Sequence, residues 1–457
     1  MTDKVKVFKD SLKGKDVCII GIGISNTPLI SFLLENGAIV TACDKKSKEA
    51  LGDIADELIS KGVTLRLGED YLKDINANIV FKTPGLRYDV PELVALRKKG
   101  VYITSEMEEF MKICPAKIFA VTGSDGKTTT TTLIYTLLKE SGNNCFVGGN
   151  IGAPLLNRID EIKDTDFVVL ELSSFQLHTI TTSPNVAVIT NLSPNHLDWH
   201  KDYEEYIEAK KSIMLYQNKD DILVTNASNA DSDAIGKDAK GTWRRFSSKE
   251  DAFVCLDGEY IICNGEKYLN INDIKIPGMH NVENYMAAIA ATYPYVSKEI
   301  VNKVAKNFGG VPHRIELVRV LDGVRYYNSS IDSSPNRTIN TLNVFNEPVV
   351  LIAGGKAKGL SYEDIGLPVL EKVKSLILIG ETSPEIEKAV LLAKQKSGSK
   401  KEIPIYHEKT YEDVVSKAKS IAKEGDVVLL SNASTSFDMF KNFEERGNYF
   451  KELVMKL

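Results

Sequence analysis

Short apolar, β-branched runs alternate with amphipathic stretches along this chain in three successive series. Such alternation predicts parallel, doubly wound sheets, because a parallel strand needs a helical crossover to return beside its neighbour. The first series, residues 1–112, carries Val17-Cys-Ile-Ile-Gly21, Ala38-Ile-Val-Thr-Ala-Cys-Asp44 and Ile79-Val-Phe81. The second, 113–311, opens at Lys117-Ile-Phe-Ala-Val-Thr-Gly123 and continues through Phe167–Glu171, Asn185–Asn191 and Asp221–Thr225. Two hairpin signals in it, Asp257-Gly258 and Asn264-Gly265, predict a small antiparallel meander appended to the central sheet. Gly309-Gly-Val-Pro312 reads as a hinge before the third series, 312–457, with strands near 324–327, 349–352, 376–379 and 426–430. A chain of 457 residues is too long for one hydrophobic core, so three domains are expected.

The composition narrows the ligands. The net charge of −5 argues against a nucleic-acid binder and leaves room for local basic sites that hold small anions. Six cysteines without a CxxC pair, several inside apolar runs, read as reduced buried thiols. The N-terminus lacks an apolar signal core and no run of eighteen apolar residues occurs, so a cytoplasmic protein without membrane insertion is expected.

Gly123-Ser124-Asp125-Gly126-Lys127-Thr128-Thr129 follows a predicted strand and opens a predicted helix. That order suits a phosphate cradle: glycines admit backbone N–H groups, Lys127 reaches outer phosphates and Thr128 offers a hydroxyl to Mg²⁺. The full P-loop spacing needs Gly at position 121, where Val stands, so this is a shortened variant. Glu171 ends the next strand, where a metal-binding acid would sit beside bound phosphates. His196 and His200 are four apart, but Leu197 occupies the place of the zinc-protease glutamate. His196 at a strand end instead pairs with Glu171 as a second candidate ligand. Lys210, on composition alone, reads as an exposed helix lysine. The Gly21-Ile-Gly23-Ile24-Ser25-Asn26 loop with Asp44 mimics a dinucleotide fingerprint whose third glycine is replaced by Asn26, marking a nucleotide pocket without establishing NAD. The expected fold class is thus α/β in three domains: N-terminal Rossmann-like, central P-loop-type mononucleotide-binding sheet with its meander, C-terminal Rossmann-like.

Taken in order, Thr122–Thr128, Gly148-Gly-Asn150-Ile-Gly152, Glu171-Leu-Ser-Ser-Phe-Gln176, His196-Leu-Asp198, Gly278-Met-His280-Asn281 and Pro312-His-Arg314 resemble the Mur ligase family over all three domains. The segment Ser434-Thr-Ser436 to Arg446-Gly447 is most similar to the branch that adds D-glutamate. The resemblance implies an ATP- and Mg²⁺-dependent ligase of peptidoglycan precursor synthesis. It would join D-glutamate to UDP-N-acetylmuramoyl-L-alanine through an acyl phosphate, as a monomer. It further implies that Gly23, Ile24, Ser25, Asp44, Lys45, Thr83, Pro84 and Gly85 hold the UDP moiety, and that Asn150, Ser173 and Gln176 position the muramoyl-alanine arm. ATP would be held by residues 123–129 with Asn281, Asn284 and Arg314. Thr128, Glu171, His196 and a carbamylated Lys210 would hold metal, and Ser333, Lys358, Ser436 and Phe443 would bind D-glutamate. Lys127, His196, Lys210 and Arg314 are the residues expected to carry catalysis.

The chain departs from the family pattern where an Asp-Ser-Lys-type run is usual: Asn328-Ser329-Ser330-Ile331-Asp332-Ser333 has Ser329 for the acid and Ile331 for the lysine. Asp332 and Arg337 are the nearby carriers of the missing charges, and Asn195 stands where an acid commonly precedes the histidine. A ligase for another amino acid, a folylpolyglutamate synthetase, a dehydrogenase and a non-catalytic nucleotide-binding regulator remain as alternatives.

Overall fold

A computed structural model describes residues 3–23, 26–357 and 360–457. Three sheets account for its strands. The first contains β1 (Asp16–Ile20), β2 (Ile39–Asp44), β3 (Thr64–Leu67), β4 (Ile79–Lys82) and β5 (Tyr102–Thr104), all parallel in the order β3-β2-β1-β4-β5. Val17 and Ile19 of β1 pack into one core, while Cys18 and Ile20 pack into another on the opposite face. Burial on both faces is why β1 reads as a continuous apolar run instead of an alternating one.

The central sheet has nine strands: β6 (Lys117–Thr122), β7 (Cys145–Gly149), β8 (Phe167–Glu171), β9 (Val186–Ile189), β10 (Ile222–Asn226), β11 (Thr242–Ser247), β12 (Val254–Asp257), β13 (Tyr260–Cys263) and β14 (Glu266–Asn270). Their order is β14-β13-β12-β11-β10-β9-β6-β8-β7. Both predicted hairpins form, but the meander is no appendage. Strand β12 pairs in parallel with β11, so the hairpins continue the central sheet and cover an edge that would otherwise expose unpaired backbone groups.

The third sheet comprises β15 (Glu316–Leu321), β16 (Val324–Asn328), β17 (Val349–Ala353), β18 (Val373–Leu378), β19 (Ile405–His407) and β20 (Val427–Leu430), in the order β15-β16-β20-β17-β18-β19. All of its pairings are parallel except β15 with β16. The chain divides into two compact units. One spans Met1–Asp273 with Met279–Lys306 and contains the first two sheets; the other spans Ile274–Gly278 with Asn307–Leu457. Among the described residues no helix is long and apolar enough to cross a membrane, and all six cysteines are free thiols.

Candidate active site

In the central sheet β6 lies between β9 and β8, and the loops leaving these three carboxyl ends carry most of the predicted chemistry. This is where an open α/β sheet forms its crevice. Gly123 and Gly126 both have positive φ, 145° and 76°. A Cβ on Gly123 would stand 2.0 Å from Thr190 Oγ1, and one on Gly126 would stand 2.4 Å from Asn284 Oδ1. The loop is closed so tightly that only hydrogen fits at either position. Asn191 holds it from below, its carbonyl accepting from Ser124 N (2.9 Å) and its side chain from Asp125 N (3.0 Å). Lys127 opens the helix Lys127–Glu140, and its Nζ donates back to the carbonyls of Gly123 (2.9 Å) and Ser124 (2.8 Å). The ammonium thus lies over a helix N-terminus, where an anion is favoured. Thr128 and Thr129 are half-buried in the first turn of that helix.

Glu171 ends β8 and is 1 % exposed. Its Oε1 accepts from Asn150 Nδ2 (2.8 Å), and its Oε2 is buried with no hydrogen-bond partner. A buried carboxylate oxygen left unpaired is costly, and a cation coordinated there would remove that cost. Lys210 lies in the helix Tyr203–Leu215 and is only 2 % exposed, so the reading as a surface lysine fails. Its Nζ donates to Thr122 Oγ1 (3.2 Å) and sits 4.8 Å from the centre of the Tyr206 ring, whose hydroxyl meets Ser124 Oγ at 2.8 Å. Burial, and then the charge of Lys127, push the Lys210 ammonium well below the ordinary lysine range, with Glu171 and Asp125 opposing. An amine so disposed is ready to be neutral, or to become an anion by modification. The donor set, an orphaned carboxylate oxygen beside the Thr128 hydroxyl's loop and a convertible lysine, fits a hard divalent cation such as Mg²⁺.

His196 is exposed, takes φ 54°, and rests its ring 4.9 Å from that of Phe175. Burial, and then Lys127 and Lys210 against Asp198, hold its imidazole below the usual value. His200 is buried and turns its Nε2 to Ser174 Oγ (3.0 Å). Residues 196–200 form a turn and not a helix, which ends the zinc-protease comparison. Ser173 and Gln176 form a capping box on the short helix Ser174–Leu177, so both have a structural task in addition to any contact with substrate.

A cavity of about 150 Å³ adjoins the loop, lined by Asp125, Gly126 and Asn284 together with Thr190, Asn191, Asn226, Phe246, His280 and Glu283. His280 falls inside the Gly278–Asn281 motif; Thr190, Asn191, Asn226, Phe246 and Glu283 escaped as site residues because they lie on four separate segments, and strand-end position is the signal that finds Thr190, Asn191 and Asn226. Asn284 accepts from Thr130 Oγ1 (3.2 Å) and donates to Asn281 Oδ1 (3.1 Å), tying the helix Met279–Thr292 to the phosphate loop.

In the first sheet, Gly23, Asp44, Lys45, Thr83 and Pro84 line a second cavity of about 380 Å³; Ile24 and Ser25 lie outside the described residues. Asp44 accepts from Ile22 N (2.7 Å) and Lys46 N (2.8 Å). Asn26, the residue in the third glycine's place, is buried and donates to the carbonyls of Ile20 (3.2 Å) and Gly21 (2.8 Å), so its amide braces the turn.

The second unit carries the remaining candidates. Ser333 follows β16 and Ser436 follows β20, both beyond carboxyl strand ends, while Phe443 opens the helix Phe443–Lys456 and accepts from Ser330 Oγ (2.8 Å). Lys358 lies outside the described residues. Arg314 is exposed in a turn fixed by buried His313, whose Nδ1 meets Asn328 Nδ2 at 3.0 Å. Asp332, one of the two nearby charge carriers, is 5 % exposed and its Oδ2 accepts from Thr341 Oγ1 (2.7 Å) and Ser431 Oγ (2.8 Å). Arg337 is exposed and donates to Ile331 O (3.1 Å).

Comparison with known proteins agrees with this geometry. Residues 121–292 match the Mur ligase middle domain and residues 313–433 the Mur ligase, glutamate ligase domain. The chain is 52% identical to the UDP-N-acetylmuramoylalanine--D-glutamate ligase of Ruminiclostridium cellulolyticum, with 100% of both chains covered. It is also 52% identical to the enzyme of the same name from Acetivibrio thermocellus, over 99% of both. The solved UDP-N-acetylmuramate-alanine ligase of Thermotoga maritima shares the fold at TM-score 0.57 and 21% identity, covering 97% of this chain and 99% of that one. The chain belongs to the Mur ligase family.

Proposed function

We propose that this chain is an ATP-dependent carboxylate-amine ligase that joins D-glutamate to UDP-N-acetylmuramoyl-L-alanine in peptidoglycan precursor synthesis. One observation carries the chemistry: a cation-bearing glycine loop, an unpartnered buried carboxylate oxygen on Glu171 and a buried Lys210 meet at adjacent carboxyl strand ends. The choice of D-glutamate rests on full-length similarity to ligases of that name.

A carboxylate cannot expel oxide, so it must be activated. In this reading one carboxylate oxygen of the alanine attacks the γ-phosphorus of ATP, ADP leaves, and an acyl phosphate forms. The amine of D-glutamate then attacks the acyl carbon, loses a proton and expels phosphate, which keeps the oxygen it took from the carboxylate. Lys127 and the loop N–H groups hold the phosphates and stabilise the charge on the transferring group. Thr128, Glu171, His196 and carbamylated Lys210 are the residues that would hold Mg²⁺. Bound there, Mg²⁺ supplies positive charge against the phosphoryl oxygens. The cleft lined by Gly23, Asp44, Lys45, Thr83 and Pro84 takes the UDP end. Asn150, Ser173 and Gln176 direct the muramoyl arm, and Asn281, Asn284 and the cavity beside them take the nucleoside of ATP. Arg314 adds charge at the outer phosphates, and Ser333, Lys358, Ser436 and Phe443 receive D-glutamate. ATP and a UDP-linked substrate place the enzyme in the cytoplasm, and every proposed contact comes from a single chain, so a monomer suffices.

Oxygen tracing tests the chemistry. With ¹⁸O in both oxygens of the alanine carboxylate, one label should appear in the released phosphate and one should stay in each amide formed; phosphate free of label, with the displaced oxygen in AMP or water instead, would exclude the acyl phosphate.

A further inference from the structure

Just past the Thr83-Pro84-Gly85 turn, Arg87 reaches from the first sheet to the central one. Its five N–H donors are all engaged: Nε and Nη2 to Asp89 (both 2.9 Å), Nη2 and Nη1 to Glu205 (2.8 and 3.1 Å), and Nη1 to the Trp199 carbonyl (2.7 Å). The guanidinium also lies 4.9 Å from the centre of the Trp199 ring, and Trp199 Nε1 donates to the Gly85 carbonyl at 2.9 Å. These bonds clamp residue 199 against the turn that lines the cleft of the first sheet.

The far side of the clamp leads straight to the reaction site. The His196 carbonyl accepts from the backbone N–H of Trp199 (3.1 Å) and of His200 (3.0 Å), so the turn presenting the His196 ring is anchored on the clamped residue. Glu205 takes a further bond from Lys201 N (2.7 Å) and lies in the first turn of the helix that carries Lys210. Two candidate metal ligands thus hang from one ion-paired joint with the first sheet.

The same joint contains the nitrogen and oxygen atoms of His178, His200 and Glu205 within 4.8 Å of one another, the spacing of a metal centre. The carboxylate there is already gripped by a guanidinium whose charge opposes a second cation. Arg87, moreover, holds Glu205 far below the ordinary carboxylate range. An ion-paired clasp accounts for the cluster better than a metal does.

We propose that Arg87 is a positioning residue for ligation: its clasp with Glu205 and Trp199 fixes the His196 turn relative to the UDP-side turn, so that a substrate anchored in one sheet presents its carboxylate in register at the other. The inference rests on the function proposed above. Register matters because a misplacement of about 1 Å at a reacting centre can cost about a hundredfold in rate. A lysine keeps the charge but cannot supply the planar fork that meets three partners.

The test uses Arg87→Lys and Arg87→Ala in the full chain, with folding checked by thermal melting, and Trp199 emission read in a Trp243→Phe background, since the chain has 2 tryptophans. Arg87→Lys is expected to lower kcat at least tenfold while calorimetric affinities for UDP and for ATP stay within threefold of wild type. UDP should shift Trp199 emission when Arg87 is present and leave it unmoved in Arg87→Lys, a response that a lower folded fraction alone does not produce. A folded Arg87→Lys with kcat within twofold of wild type, or an emission response to UDP that survives the substitution, overturns the proposal. A stoichiometric transition-metal ion in the purified chain, lost in His200→Ala, overturns it in favour of a metal centre. Absence of D-glutamate-dependent phosphate release from the wild-type chain would instead remove the function on which the inference rests, and the inference with it.

Discussion

Two glycine loops occupy equivalent places in the first and central sheets, each leaving the carboxyl end of an inner parallel strand, yet they are built for different ligands. The loop after β1 is braced by the neutral Asn26 amide and faces the carboxylate of Asp44, an arrangement that suits the hydroxyl and N–H donors of a nucleoside. The loop after β6 is braced by Thr190 and Asn191 and covered by the Lys127 ammonium, which suits phosphate. Position in the topology makes a pocket; the charge set on the loop decides its guest.

The comparison breaks most visibly at Lys127. Replacing it with alanine should lower D-glutamate-dependent phosphate release about a thousandfold, the scale of losing a charge stabiliser at a transferring group, while calorimetric UDP affinity stays unchanged. A parallel loss of UDP binding would show that the two loops do not act separately. Lys210→Ala should follow, with activity down on the order of a hundredfold, as for groups that support a metal site. Added formate should restore part of the rate if the missing group is an anion, and no rescue would argue against carbamylation.

Glycine substitutions sharpen the contrast at smaller scale. Gly123→Ala places a Cβ 2.0 Å from Thr190 Oγ1, whereas Gly21→Ala places one 3.0 Å from Thr83 Cβ. The first should weaken ATP and the second UDP, each at a stability cost of about 1–3 kcal/mol from strained backbone, with Gly123→Ala melting lower. Asn26→Gly loses two hydrogen bonds and should weaken UDP about fivefold, near 1 kcal/mol, with ATP untouched.

A further effect concerns pH. Burial pushes His200 down to about 4 from 6.5, so between these values the unfolded chain binds the extra proton. Stability contributed by neutral His200 is present above pH 6.5 and is lost as pH falls toward 4. Melting temperature should therefore decline more steeply over that window in the wild type than in His200→Gln.

Much of the fold was legible because the inner strands are buried on both faces and appear as unbroken apolar runs. Edge strands were not: β3, β5 and β19 are three or four residues long and β7 ends in Gly148-Gly149, while the inner strand β11 is masked by Arg244 and Arg245. The phosphate loop was legible because its chemistry is contiguous. Lys210 was reached only through the family resemblance, since nothing in a helix lysine's neighbours along the chain reveals that Thr122 and Tyr206 will enclose it. Arg87 and Glu205, 118 positions apart, were not found at all, and for Asn150 the hydrogen bond that holds the Glu171 carboxylate was not visible along the chain.

The central claim is tested most directly by phosphate release from ATP in the presence of Mg²⁺, UDP-N-acetylmuramoyl-L-alanine and a panel of single amino acids. Release that depends on D-glutamate and on the UDP substrate together is the expected result. Release with another amino acid in its place, or none with D-glutamate, would contradict the assignment.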